Sequence, residues 1–193
     1  DSPMASLRYF AICSLDGFVA DRSGRFDWAA PDAEVHRFVN EAEAPTGTYL
    51  YGRRMYDVMA GWDIADPTRG PESQDYAAIW QAADKLVFST TLVEVWTART
   101  RLVRRFDPTV VRQLKANSEA DLSVGGPTLA AEMLRADLVD EIHLILVPTI
   151  VGGGLPALPA DLRLSLGLLD ERRFGNGMVY VSYAVRGSPT GRV

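Results

Sequence analysis

The sequence predicts a single-domain α/β protein with a mixed, mostly parallel central sheet, flanking helices and a C-terminal antiparallel hairpin. Apolar runs of strand length alternate with segments of helical periodicity, as in successive βαβ units. A chain of 193 residues, 47% hydrophobic and 23% charged, is long enough to bury one core. Near its end, two strand-like runs are joined through Gly175-Asn176-Gly177, which is typical of a hairpin.

The first half of the chain alternates strands and helices. In order, the predicted elements are a buried strand at residues 7–14, an extended segment at 18–20 after an Asp16-Gly17 turn, a polar loop at 21–24, a helix opened by Pro31-Asp32, a strand at 48–51 and a helix at 53–59. Asp32 is a suitable N-cap for its helix. A region rich in chain breakers, residues 61–71, ends this half.

The second half continues the alternation and closes on the hairpin. The predicted elements are a helix at 76–83 with Trp80 inward, strands at 85–89 and 100–103, a helix at 108–116 opened by Asp107, a strand ending at Gly125, a helix at 128–134, a strand at 141–147, and hairpin strands at 162–171 and 178–185. The sequence contains no internal repeat, so one domain is expected over residues 7–186. Residues 1–6, with Met4 as a natural start behind a cloning remnant, and residues 187–193 are expected to be tails.

Composition and charge argue against several classes of function. The 20 basic and 25 acidic residues give a formal net charge of −5, which disfavours a nucleic-acid surface. No apolar run approaches the roughly 20 residues of a membrane-spanning helix. Cys13 is the only cysteine, which leaves no internal disulfide and none of the paired cysteines of a zinc-dependent nucleobase deaminase. We therefore expect a cytoplasmic protein without a metal site.

The strongest local signal for a ligand site is the strand that ends at Gly125-Gly126 and turns into a helix at Pro127-Thr128. Glycines at such a turn let a phosphate group approach backbone N–H groups at the positive end of a helix. Taken alone, however, two adjacent glycines more often mark an ordinary tight turn. By contrast, residues 152–154 are three glycines with no helix start behind them, and we expect a mobile turn there.

Several short motifs, taken in order, resemble those of the dihydrofolate reductase-like superfamily. They are Ser14-Leu15-Asp16-Gly17, Tyr51-Gly52-Arg53-Arg54-Met55-Tyr56, Val87-Phe88-Ser89, Val124-Gly125-Gly126-Pro127, and Val139-Asp140-Glu141 with Val147-Pro148. Within the superfamily the chain is most similar to the reductase domain of the bifunctional riboflavin-biosynthesis deaminase-reductases and to their stand-alone relatives. The resemblance spans nearly the whole chain and implies a single domain of that fold.

The resemblance implies that NADPH is the hydride donor for a small heterocyclic substrate. It assigns the cofactor phosphates to Gly52, Arg53, Arg54, Gly125, Gly126, Pro127 and Thr128, the adenosine 2′-phosphate to Ser89 and Thr90 with Thr91 beside them, and the nicotinamide to Ala11, Ile12 and Val19. An arginine at a helix start adds a forked cation to N–H groups that already favour anions. Relatives often carry threonine at the position of Met55, so this chain lacks one hydroxyl contact to the pyrophosphate.

Hydride transfer leaves charge on a substrate nitrogen or oxygen, so the site needs a proton source. Asp16 and Asp32 are the candidate catalytic acids, and Asp32 and His36 are the candidate substrate-pocket residues. A turn at Asp16 and a helix cap at Asp32 explain these residue types equally well. His143 alternates with apolar residues on a strand and is expected to be structural.

The leading hypothesis is an NADPH-dependent reductase similar to 5-amino-6-(5-phosphoribosylamino)uracil reductase of riboflavin biosynthesis. A dihydrofolate or other pterin-like reductase is the alternative on the same scaffold. A non-catalytic nucleotide- or flavin-binding module is an alternative of another class, because a fold can persist without turnover. The resemblance also implies a homodimer, formed through residues 141–151 or through the terminal hairpin.

Overall fold

A computed structural model of the chain describes residues 4–186. Its strands are β1 (Leu7–Ser14), β2 (Phe18–Asp21), β3 (Thr46–Gly52), β4 (Asp84–Phe88), β5 (Thr100–Val103), β6 (Asp121–Gly125), β7 (Glu141–Val147), β8 (Gly154–Pro156), β9 (Ser165–Arg173) and β10 (Val179–Arg186). Its helices are α1 (Ala33–Glu43), α2 (Arg53–Met59), α3 (Pro71–Ala82), α4 (Pro108–Asn117) and α5 (Pro127–Arg135). This alternation confirms the predicted α/β class.

The main sheet has the strand order β5-β4-β3-β6-β1-β7-β10-β9. In this order, strands β5, β4, β3, β6, β1 and β7 run parallel to one another. Strand β10 is antiparallel to both of its neighbours, β7 and β9. The prediction of a mostly parallel sheet with a terminal antiparallel hairpin is therefore confirmed. Because parallel strands end at the same side, the chain leaves β1, β3, β4, β6 and β7 along one edge of the sheet, here called the carboxyl edge.

Helices cover both faces of the sheet, and alternate residues of β1 show the division. Leu7 and Tyr9 belong to the core cluster that holds α4 and α5 against one face. Phe10 and Ile12 pack into the cluster under α1 on the opposite face. A third cluster, rich in tyrosine and tryptophan, joins β3 and β4 to α2 and α3. Because successive side chains of a strand point in opposite directions, neighbouring residues of β1 face opposite sides of the sheet.

Three local predictions differ from the structure. Helix α3 begins at Pro71, earlier than predicted, because proline fits the first helical turn and Gly70 precedes it as the N-cap. Ala5 and Ser6, predicted as part of a tail, are bound to the domain: Ala5 donates its N–H to the carbonyl of Lys115, and Ser6 donates to Asp121. Strand β8, where a mobile turn was expected, pairs with β2. The predicted tail positions 1–3 and 187–193 lie outside the described residues.

Among the helices of residues 4–186, none combines the length and the apolar character required to cross a bilayer.

Candidate functional site

The carboxyl edge gathers the predicted cofactor residues from separate parts of the chain. Tyr51 of β3 lies opposite Gly125 of β6, and Gly52 of β3 lies opposite Phe88 of β4. Neighbouring strands are about 4.8 Å apart, so the segments that follow these strands emerge side by side. Arg53, Ser89 and Gly126, which continue from the three strand ends, are therefore neighbours along one edge.

Two helices begin next to each other at this edge without a capping side chain. The N-cap of α2 is Gly52 and that of α5 is Gly126, and within the described chain no side chain bonds the first N–H groups of either helix. Helix α1 differs, because the Asp32 carboxylate caps it. Free N–H groups at a helix start attract anions. The pair of uncapped starts suits a phosphate-bearing ligand.

The glycine pair is required by close packing as well as by backbone shape. A Cβ atom on Gly125 would lie 2.6 Å from the ring of Tyr51, and Gly126 has a φ of +92°. Both positions thus demand glycine, one for space and one for conformation. Met55 lies over the pair, with its Cγ 3.3 Å from the position of a Gly125 Cβ. Its thioether gives this spot no hydroxyl donor.

Arg53 supplies a positive group beside the glycine pair. Its side chain is half exposed, its Nη1 donates to the Thr91 hydroxyl at 2.9 Å, and its Nε lies 3.9 Å from Asp57. Ser89 is buried, and its Oγ accepts the N–H groups of Thr91 at 3.2 Å and Leu92 at 3.0 Å. The turn after β4 is thereby fixed against Arg53. The neighbouring predicted residues Arg54, Thr90 and Thr128 are exposed at the same edge.

Strand β1 extends beyond its pairing with β6 and so leaves a gap in the sheet beside the glycine pair. Its register with β6 ends at Tyr9, opposite Val124, whereas its register with β7 continues to Ser14, opposite Val147. Ala11 therefore lies where β6 has turned away toward α5, and it is half-buried. Val19 lies on β2, which returns over the end of β1. Of these two residues predicted to line the nicotinamide, Ala11 lies beside the glycine pair, and Val19 lies on the strand whose partner β8 lines one cleft with Pro127 and Thr128.

Asp16 makes contacts that a proton donor does not need. Its carboxylate accepts the N–H groups of Gly152 at 2.8 Å and Val151 at 3.2 Å. Hydrogen bonds from the Ser14 side chain and from these two N–H groups hold the pKa of Asp16 below its usual value. An acid with a lowered pKa is ionised at neutral pH and is a poor proton source. The geometry therefore favours a positioning role.

Asp32 and His36 lie on α1 and face different surroundings. Asp32 is exposed, and its Oδ1 accepts the N–H of Val35 at 3.0 Å, which leaves the second carboxylate oxygen at the surface of the carboxyl edge. The His36 ring lies 6.3 Å from that of Tyr76, in the contact between α1 and α3. Burial lowers the pKa of His36, and the charge of Glu72 opposes that shift. Asp32 is thus the more accessible of the two.

A shallow cleft of about 250 Å³ continues from the start of α5. Pro127 and Thr128 line it at the start of α5, and Leu155, Pro156 and Leu158 line it from the other segment. Another cleft, of about 340 Å³, lies between residues 65–69 and α3. The first therefore adjoins predicted cofactor residues, and the second does not.

Sequence patterns did not identify every residue that shapes this edge. Arg22 donates to the Gly152 carbonyl at 3.0 Å, across 130 positions of the chain. No local signal marks such a contact, because both residues sit in polar turns. Within residues 4–186, no group of three or more His, Cys, Asp or Glu side chains is placed to hold a metal ion.

Comparison with known proteins gives relatives that cover most of the chain. The chain matches the family described as the RibD C-terminal domain over residues 5–180. It is 28% identical to the uncharacterised protein YyaP of Bacillus subtilis over 174 residues, which cover 88% of this chain and 89% of that protein.

Two solved structures show the same fold at low sequence identity. A Shewanella protein, provisionally named as a riboflavin biosynthesis protein, has a TM-score of 0.74 and 21% identity over 94% of this chain and 99% of its own. Dihydrofolate reductase from Enterococcus faecalis, solved in complex with NADP(H), has a TM-score of 0.60 and 11% identity over 94% of this chain and 97% of its own. The predicted dihydrofolate reductase-like fold is confirmed.

Proposed function

The chain belongs to the RibD C-terminal domain family of reductases, and from this premise we propose that it is an NADPH-dependent reductase of a small heterocyclic substrate. Its proposed activity is similar to that of 5-amino-6-(5-phosphoribosylamino)uracil reductase. The observation that carries the proposal is the meeting of two uncapped helix starts with the Arg53–Thr91 pair at one edge of the sheet. NADPH, when bound, supplies a hydride.

The residues of this edge fit a dinucleotide phosphate. Gly125 and Gly126 keep side chains away from the backbone, so the N–H groups that open α5 can bind a pyrophosphate oxygen directly. Arg53 adds a guanidinium that can bind two phosphate oxygens at once. The hydroxyls of Thr90 and Thr91 lie beside it and suit a 2′-phosphate. The NADP(H) complex of the Enterococcus dihydrofolate reductase supports the same cofactor class.

The reacting end of the cofactor belongs on the β1 side of the glycine pair. Ala11 and Val19 offer small apolar surfaces there, and Asp32 presents a carboxylate oxygen at the same edge. A carboxylate in this position orients a heterocycle by accepting ring or amino N–H groups, and it relays a proton to the atom that gains charge. We assign these roles to Asp32 rather than to Asp16, whose oxygens are already bonded.

Thermal unfolding with and without NADPH tests the cofactor assignment. A ligand present at a hundred times its dissociation constant stabilises a protein by about 2.7 kcal/mol, which is a clear rise in Tm. The absence of any shift at saturating NADPH would refute it. If NADPH binds, its oxidation is followed with the phosphoribosylamino-pyrimidine and separately with dihydrofolate. Turnover of one of them identifies the substrate branch, whereas binding without turnover of either favours a non-catalytic nucleotide-binding module.

We also propose a homodimer formed through β9, the edge strand of the main sheet. Strand β7 lies between β1 and β10, so its backbone is already paired, whereas within residues 4–186 β9 is paired on one side only. That strand exposes Leu166, Leu168 and Leu169 by 40%, 60% and 53%. Leu168→Glu should halve the mass measured by analytical ultracentrifugation. A monomeric wild-type protein would contradict the proposal.

A further inference from the structure

Gly152 is held at both of its peptide groups by side chains of opposite charge. Asp16 accepts its N–H at 2.8 Å and also accepts the N–H of Val151 at 3.2 Å. Arg22 Nη2 donates to the Gly152 carbonyl at 3.0 Å. We call this arrangement of Asp16, Arg22 and Gly152 the clamp. It joins the segment after β1 to the segment after β7.

Backbone hydrogen bonds continue this junction on both sides of the clamp. Leu15 donates its N–H to the carbonyl of Thr149, and Ala157 donates to that of Gly17, each at 2.9 Å. Between them, β2 and β8 pair in antiparallel fashion. We call the joined segments, residues 15–22 and 149–157, the flap. The flap covers the carboxyl ends of β1 and β7.

The glycines of the clamped loop are held in conformations that other residues rarely adopt. Gly152, Gly153 and Gly154 have φ values of +78°, +149° and +139°. A Cβ on Gly153 would lie 2.4 Å from Arg22 Nε, and one on Gly154 would lie 2.0 Å from the carbonyl oxygen of Ala20. The loop is therefore packed against β2 in a defined conformation, which the run of glycines alone did not predict.

Polar bonds hold the flap more than burial does. All flap residues are described by the structure, and of these only Ala20, Gly153 and Ala157 are buried. Of its larger apolar side chains, Leu15, Ile150 and Leu155 are exposed by 62%, 71% and 38%, and Phe18 is half-buried. A segment with few buried apolar contacts opens locally at low cost. Its position thus depends on the charged hydrogen bonds of the clamp.

We propose that Asp16 is a positioning residue of the reductase site: together with Arg22 it fixes the Gly152 loop and so holds Val19 over the reacting end of the cofactor. The inference rests on the proposed function, because Val19 lies on β2 between the two clamp residues. Asp16 acts through Gly152 and β2, and it transfers no proton itself. This assignment replaces the role of catalytic acid that the sequence had suggested for it.

Hydrogen–deuterium exchange of the protein without ligand tests the clamp itself. Losing a hydrogen bond to a charged group should lower local protection by about tenfold or more, so Asp16→Ala should deprotect the amides of Val151 and Gly152 to that extent. Asp16→Asn, which keeps an acceptor oxygen, should deprotect them less. Arg25→Ala, next to the exposed turn that holds Arg22, is the control and should leave both amides unchanged. Unaltered protection in Asp16→Ala would overturn the proposal.

Kinetics then separate positioning from proton donation. Asp16→Ala should lower kcat by about tenfold, which matches the expected loss of amide protection. The NADPH dissociation constant should stay close to that of the wild type, and the binding stoichiometry should stay at one per chain. Asp16→Asn should recover most of kcat, because asparagine can bond Gly152 but cannot donate a carboxyl proton. An Asn variant as inactive as the Ala variant would overturn the positioning role. If the wild type neither binds nor oxidises NADPH, the proposed function fails. The exchange experiment still tests whether Asp16 holds the amides of Val151 and Gly152.

Discussion

Arg53 of α2 donates a hydrogen bond of 2.9 Å to the hydroxyl of Thr91, 38 positions further along the chain. The bond connects the ends of β3 and β4, two neighbouring strands of the carboxyl edge. It turns the guanidinium, which stays half exposed, toward the Ser89-Thr90-Thr91 turn. A 2′-phosphate bound at that turn would meet a preoriented cation.

Arg53→Ala should therefore weaken NADPH more than NADH. Loss of a charged hydrogen bond to phosphate costs about 1.5–3 kcal/mol, or roughly ten- to hundredfold in the NADPH dissociation constant. Titration of both nucleotides by isothermal calorimetry measures the two affinities. Arg37→Ala, which removes an exposed arginine paired with Glu72, is the control and should change neither. An equal loss for both nucleotides would place Arg53 on the pyrophosphate instead.

Gly125→Ala should destabilise the fold by overpacking. The new methyl group would lie 2.6 Å from the Tyr51 ring, which is fully buried and held by a bond from Trp80. Such insertions cost about 1–3 kcal/mol, measurable by urea unfolding. Gly61→Ala is the control: nothing lies within 4 Å of its added Cβ, so we expect no loss of stability there. Equal unfolding free energies for both variants would refute the packing argument.

Met55→Thr should strengthen NADPH binding while weakening the fold. Met55 is half-buried and packs against the aromatic cluster of α2 and α3, so shortening it loses apolar contact. The new hydroxyl would face the uncapped starts of α2 and α5, where one hydrogen bond adds about 0.5–1.5 kcal/mol of affinity. Met55→Val is the control, because valine has nearly the shape of threonine but no hydroxyl. The difference in affinity between the two variants therefore measures that hydrogen bond. An affinity for the Thr variant no better than for the Val variant would refute the prediction.

The parts of the fold that the sequence predicted are those encoded by neighbouring residues. The glycine pair after β6, the cap at Asp32 and the alternation of strand and helix are local patterns, and the structure contains each of them. The grouping of Arg53 with Gly125 was implied by the resemblance to the dihydrofolate reductase-like superfamily, and parallel strands that end at one edge account for it.

The parts that were missed depend on contacts between distant residues. The loop at Gly152 looked mobile because three glycines without a helix have no local restraint, yet Asp16 binds it across 136 positions. Likewise, the sequence offered both Asp16, in a turn, and Asp32, at a helix cap, as catalytic acids, and their hydrogen-bond partners in the structure distinguish them. Gly70-Pro71 looked like a chain break, although proline at the first turn begins α3.

His143 should make stability depend on pH. Its Nδ1 lies 2.6 Å from the Tyr180 hydroxyl and its Nε2 lies 2.7 Å from Glu141, a pattern that a neutral imidazole satisfies by accepting from tyrosine and donating to the carboxylate. Burial lowers the pKa of His143 below the usual 6.5, and Glu141 opposes that shift. The unfolded chain thus takes up the proton first, and stability falls as pH drops from 6.5 toward the lower folded pKa.

Urea unfolding at a series of pH values measures this effect. The wild type should lose at most about 1.4 kcal/mol per pH unit from this group on the acid side of neutrality. His143→Gln should flatten that slope, even if it lowers stability overall. His36→Gln removes the other histidine, whose pKa is also lowered by burial, and should flatten it less because that ring is only half-buried. A slope in His143→Gln identical to that of the wild type would contradict the prediction.

Cys13 should report on the opening of β1. It is the only cysteine, it is buried opposite Leu146 of β7, and burial raises its pKa to about 11. Since the thiolate is the reactive form, the native thiol should resist Ellman's reagent at neutral pH and react fully, with one equivalent per chain, only when the sheet unfolds. The labelled fraction across a urea series should follow the tryptophan fluorescence transition. Rapid labelling of the native protein would show instead that β1 opens locally, because no other thiol competes for the reagent.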